Sequence, residues 1–387
     1  MSAPVSWKRL ARRQAVTTSA AATLTPRDVS ALYGLDAYYG RGVYGQGQSI
    51  GFIEFARPDA GDDARFWRTF SLAPQFNAVA ATIDVDRAAS DPGALDETDL
   101  DLQYAGALAP AARLVAYVIS DSASPAVFLG QLYDALQRAA ADGIGIISIS
   151  LGTGELGLAD TGPITAPLSG RAWPDSASYL PDLDALVQRN GLLVFVAAGD
   201  AGAYAGLPYG DLQPQPSWPA VQPAMIAVGG TQLTSPGNLP SGEEAWGGQT
   251  LDRLAPGYSA ANTLPQASGG GGVSAIFAAP PDQAALGLGG RATPDICAFS
   301  GPLVIADHGQ QVTIWGTSAA APIAAAITAL AAQAAGALPT RGQVLARAQD
   351  VCLGNNWNSA LWTQGLTTFF SAGPGYDLCT GWGRVVI

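Results

Sequence analysis

Five apolar stretches decide what this chain can fold into: SIGFIEF (49–55), RLVAYVI (113–119), GIISIS (145–150), LLVFVAAGD (192–200) and AMIAVGG (224–230). Each is apolar almost without a break instead of alternating, the pattern of a strand covered on both faces. Helical segments near 125–142 and 178–190 fall between them, so successive strands run parallel through crossovers. The expected class is therefore α/β, a mostly parallel, doubly wound sheet flanked by helices. With 48% apolar residues in 387, one large core is affordable, and no domain boundary is apparent after about residue 25. The Pro- and Gly-rich stretch 208–272 reads as long loops on one rim.

Charge narrows the function classes. A net charge of −12 and one lysine, Lys8, give no basic cluster for phosphates, so no nucleic-acid partner is expected. Only 13% of residues are charged and five are glutamates, so few carboxylates must be protonated in acid; the composition permits acid tolerance. Cys297, Cys352 and Cys379 are too few and scattered for a disulfide framework, and no C-x-x-C is present. The longest apolar run, Ala319–Ala335, is Ala-rich and holds Pro322, which reads as a buried helix and not a membrane span. The basic N-terminus (Lys8, Arg9, Arg12, Arg13) leads into QAVTTSAAATLTP, too polar for the core of a secretion signal.

Several constellations could carry chemistry. Strand-like QVTIW (311–315) turns at Gly316 into the Ala-rich helix, placing Ser318 beside free backbone N–H groups, where a nucleophile or a plain N-cap serine would sit. The one histidine, His308, falls in a turn (DHG) between two β-like runs and is expected to be an exposed bystander. Glu97 and Asp101 project from one helical face that Tyr104 and Leu108 continue. If that face is buried, one carboxyl must hold a proton; otherwise this is a solvated acidic helix start. Asp200 ends LLVFVAAGD at the carboxyl edge of the sheet, placed either to donate to an oxyanion or to cap a turn. Asp350 and Asp377, with the glycines of AGPGYD, offer hard oxygen donors suited to Ca²⁺, or form simple turns.

Taken in order, these stretches resemble one family, the sedolisins or serine-carboxyl peptidases, and its kumamolisin-like members in particular. GTSAAAP is similar to the nucleophile motif, ETDLD to the Glu-x-x-x-Asp pair, AAGDAG to the oxyanion motif, and DVCLGNN with AGPGYDLCTGWG to the calcium site. The stretches TPRDVSALYGL, SWPAVQPAMIAVGGT, GGGGVSAIF and GGRATPDI extend the likeness over about residues 24–387. The resemblance implies a subtilisin-like fold in a single catalytic domain (25–387) after a short tail (1–24), and endopeptidase activity in acid on protein or peptide substrates. It implies Ser318 as nucleophile, Glu97 as general base, Asp101 as its partner and protonated Asp200 as oxyanion donor. One structural calcium ion would be held by the side chains of Asp350 and Asp377 and the carbonyls of Val351, Gly373 and Gly375. A secreted monomer without membrane partners is the corresponding expectation.

The pH follows from ordinary chemistry. A glutamate near pKa ~4.3 is a base only when partly ionised, and an aspartic acid near ~3.9 donates only when protonated, so both roles overlap in acid. Glu54, closing SIGFIEF, corresponds to an additional glutamate of kumamolisin-like members and would extend the chain of hydrogen bonds. Two departures stand out: the tail is short where the family has a long prosegment, and Leu151 stands where relatives often carry tryptophan. Competing readings are a silent peptide-binding module that keeps the groove, and a neutral subtilisin-type enzyme that depends on His308.

Overall fold

In the computed structural model, residues 8–9, 12–15, 23–70, 72, 79–122, 124–159, 161–234, 242–248 and 267–386 are described. Parts of the tail and of the 208–272 loops, namely residues 235–241 and 249–266, lie outside them.

The apolar runs form strands β1 (Ser49–Glu54), β3 (Arg113–Val118), β4 (Ile146–Ile149), β6 (Leu193–Ala197) and β7 (Ile226–Leu233). Between them lie β2 (Val79–Asp84) and the short β5 (Leu151–Gly154), and after them β8 (Glu243–Ala245) and β9 (Ile296–Phe299). The central sheet has eight strands in the order β8-β7-β6-β4-β1-β3-β2, with β9 also paired to β7. Among these ladders only β7–β8 is antiparallel. Side-chain alternation splits the interior in two. Ile50, Phe52, Phe195 and Val228 face one core; Ile53, Ile147, Val194 and Val196 face the other.

Five helices cover these faces: α1 (Ala60–Phe70), α2 (Leu95–Leu108), α3 (Pro125–Ala141), α4 (Ser176–Arg189) and α5 (Thr317–Ala335). α2 and α5 pack side by side on the first core, while α3 and α4 cover the second. α5 is apolar all round because it lies between the sheet and α2; it ends at Gly336, whose φ of 74° suits a residue without Cβ. It is the one helix among the described residues long and apolar enough to cross a membrane, yet it is buried. The hairpin of β10 (Leu303–Asp307) and β11 (Gln310–Trp315) feeds directly into it.

A capping box, in which Thr25 and Asp28 satisfy each other's backbone N–H, stands ahead of helix Pro26–Leu32. Two pieces of the preceding tail are also paired. Arg12–Ala15 runs antiparallel to β11, and Lys8–Arg9 antiparallel to β5.

Candidate active site

α2 carries four carboxylates in its first two turns, Asp96, Glu97, Asp99 and Asp101, and all are buried. The solvated acidic helix start is thereby overturned: α1, α5 and the β10–β11 hairpin pack around α2 and leave no wet face. Glu54, the last residue of β1, meets Asp101 from the carboxyl edge of the sheet. Burial first, and then the neighbouring carboxylates (Glu97 for Glu54, Glu54 for Asp101), hold both groups well above the usual carboxylate range. Two ionised carboxylates only accept, so the hydrogen bond between Glu54 and Asp101 requires a shared proton. Thr98 Oγ1 donates to Glu54 Oε2 at 3.2 Å, and Ser150 Oγ lies 2.9 and 2.8 Å from the two oxygens of Asp101.

Ser318 is the second residue of α5 and fully buried, and among the described residues its Oγ has no hydrogen-bond partner. The structure therefore does not itself join that hydroxyl to Glu97, although α2 and α5 are packed together. Asp200 arrives from the loop after β6. Its Oδ1 accepts from both the backbone N–H and the hydroxyl of Thr317, each at 2.8 Å. Gly316, the N-cap residue of α5, has no side chain, so Asp200 supplies the cap from another element. One oxygen of Asp200 thus holds the first turn of α5, not the turn that follows it in sequence. The glycine run GGGGV is required by the same loop: a Cβ on Gly270 would lie 2.0 Å from the Ala198 carbonyl oxygen, and Gly270 N–H donates to Gly199 O at 2.6 Å.

His308 sits at the tip of the β10–β11 hairpin with a side chain 63% exposed, bonded to Asp307. Six residues of β11 separate it from the turn before Ser318, roughly 20 Å of strand. It is outside the constellation, as expected.

The residues expected to hold calcium lie on adjoining loops. Gly375 N–H donates to Asp350 Oδ2 at 2.7 Å, Asp377 accepts from Gly373, Cys379 and Thr380 N–H, and Thr380 Oγ1 donates to the Val351 carbonyl. Two carboxylates and glycine-freed carbonyls on adjoining loops are a hard donor set that fits Ca²⁺. Among the described residues no group of three or more His, Cys, Asp or Glu could hold a metal, so binding here would rest heavily on backbone oxygens. All three cysteines are free thiols, with Cys352 alone exposed.

Sequence reasoning missed Asp99, Thr317 and Ser150. Thr317 and Ser150 stand inside quoted stretches, GTSAAAP and GIISIS, but their hydroxyls acquire meaning only from partners more than forty residues away.

Residues 84–349 match the profile of the Subtilase family. Kumamolisin of Bacillus sp. (strain MN-32) is 32% identical over 98% of this chain, and sedolisin of Pseudomonas sp. (strain 101) 29% identical over 75%. The chain spans 66% of the first and 48% of the second. In solved structures, Pseudomonas sedolisin (serine-carboxyl proteinase) complexed with two molecules of pseudo-iodotyrostatin superposes with a TM-score of 0.70, covering 95% of this chain and 96% of that one. At 23% identity that likeness speaks to the fold.

Proposed function

The chain belongs to the subtilase family, in its sedolisin or serine-carboxyl peptidase branch, and from that premise we propose that it is an acid-acting endopeptidase. The observation that carries this is the buried carboxyl chain of Glu54, Asp101 and Glu97 beside the turn of Ser318, with the one imidazole at a distant hairpin tip.

Ser318 Oγ attacks the scissile carbonyl carbon while Glu97 takes its proton, and Asp101 holds Glu97 and shares the negative charge through Glu54. The oxyanion accepts from protonated Asp200 and from the Ser318 N–H at the start of α5. Collapse expels the amine, protonated by Glu97, and leaves an acyl-enzyme that water cleaves by the reverse proton path. The base must be ionised while Asp200 keeps its proton, a coexistence that acid favours. Asp350, Asp377, Val351, Gly373 and Gly375 would hold one calcium ion, which would cross-link two C-terminal loops and take no part in the chemistry. Protein or peptide substrates, secretion and a monomeric state belong to the same reading.

The test is cleavage of a denatured protein as a function of pH. The rate should be greatest below about pH 5, vanish in Ser318→Ala and Glu97→Gln, and persist in His308→Ala. A neutral optimum that His308→Ala abolishes would replace this mechanism with a histidine-based one. Failure of a fluorophosphonate to label Ser318 at any acidic pH would replace it with peptide binding alone.

A further inference from the structure

In a regular α-helix the carbonyl of Ser318 accepts the N–H of the residue four positions on. Here that residue is Pro322, which has no N–H and whose ring crowds the same carbonyl. The turn is fully buried. A carbonyl left without a donor there costs about 1–3 kcal/mol. The donor comes from outside the helix: Ser150 Oγ, following β4, lies 3.2 Å from the Ser318 oxygen. The same oxygen atom of Ser150 touches both oxygens of Asp101.

A hydroxyl has one proton and two lone pairs, so it cannot donate to both neighbours at once. We infer that Ser150 is a positioning residue that couples the protonation state of Asp101 to the turn carrying the nucleophile. With Asp101 ionised, the Ser150 proton points at the carboxylate and the Ser318 carbonyl loses its donor. With Asp101 protonated, the carboxyl donates to Ser150 Oγ and the hydroxyl proton turns to the Ser318 carbonyl. In that acid form the turn is gripped from both sides, by Ser150 at the carbonyl and by Asp200 through Thr317. The ionisable groups facing this point are Glu54 from β1, Glu97 and Asp101 from α2, and Asp200 after β6; Ser148 of β4 is a further hydroxyl on Asp101. The effect on catalysis rests on the proposed function, whereas the link between Ser150 and Pro322 does not.

The experiment is a double-mutant cycle read by thermal unfolding at about pH 3 and again at the alkaline end of the range in which the protein is folded, because burial holds Asp101 well above the usual carboxylate range. Pro322→Ala restores the helical N–H. In acid, Ser150→Ala should lower the unfolding midpoint in the wild-type background and lower it less than half as much in Pro322→Ala. At the higher pH, Ser150→Ala should lower the midpoint in Pro322→Ala as well, because ionised Asp101 loses a donor. Equal losses in both backgrounds and at both pH values would overturn the proposal. In activity, the acid limb of kcat should move to higher pH in Ser150→Ala and return in Ser150→Thr, which keeps the hydroxyl; an unmoved limb in folded enzyme counts against the coupling. Loss of cleavage in every protein, wild type included, together with a non-additive cycle, would sink the peptidase reading and leave the Ser150 link standing.

Discussion

At the scale of residues, the site depends on hydroxyls as much as on carboxylates. Asp200 illustrates the division of labour, because Oδ1 is committed to Thr317. Replacing it with alanine removes the cap and, on the proposed mechanism, the oxyanion donor, and kcat should fall by about 10²–10³-fold. Asp200→Asn is more informative. An amide keeps an acceptor for Thr317 and donates at every pH, so the alkaline limb of the rate profile should move upward while the unfolding midpoint stays near wild type. A limb that does not move would mean that Asp200 does not act as a protonated donor.

At the scale of elements, α2 works on two faces. One presents Glu97 and Asp101; the other places Asp99 against Asp63 of α1 and Asp307 of β10, with Asp62 and Asp59 close by. Burial and then these neighbours push Asp99 up to about 10; burial, with Asp59 and Asp62, pushes Asp63 up to about 8. Carboxyls raised in the folded state bind protons more tightly there than in the unfolded chain, so folding stability falls as pH rises from about 4 towards those values. Asp99→Asn should flatten the decline of unfolding midpoint between about pH 4 and pH 8; an unchanged slope would show that Asp99 does not titrate with folding. The cluster also anchors the hairpin, since Asp62 accepts from Gly309 N–H and Gln103 bonds both N–H and carbonyl of Ala306. On the far side of the sheet, Arg291 and Asp295 form an ion pair with neither side chain exposed, and Asp295 accepts the Ala227 N–H of β7. Removing the guanidinium in Arg291→Met strands much of that charge and should cost about 3–5 kcal/mol, read by denaturant unfolding.

At the scale of the molecule, carboxyls buried where the ionised form is disfavoured favour the folded state in acid. The C-terminal loops are the separate part, where the proposed calcium ion would act. If Asp350 and Asp377 bind calcium, chelation should lower the unfolding midpoint, by an amount equivalent to about 2.7 kcal/mol for an ion present at a hundredfold over its Kd. An unchanged transition would remove the ion from the account.

Much of this was legible in the linear chain, for physical reasons. Continuous apolar runs separated by helical segments admit few folds other than a parallel sheet covered on both faces, and the motifs around Ser318, Glu97, Asp101 and Asp200 single them out as the proposed site. What sequence could not decide is which polar groups lose water. ETDLD reads equally well as a wet helix start, and only the packing of α1, α5 and the hairpin around α2 makes its carboxyls compete for protons. Likewise Pro322 removes a donor in the sequence itself, but that Ser150 replaces it was settled by the tertiary fold, which sets β4 and α5 within hydrogen-bond reach across 168 residues of chain. Local pattern determines where a backbone group will be orphaned; only three-dimensional proximity determines what satisfies it.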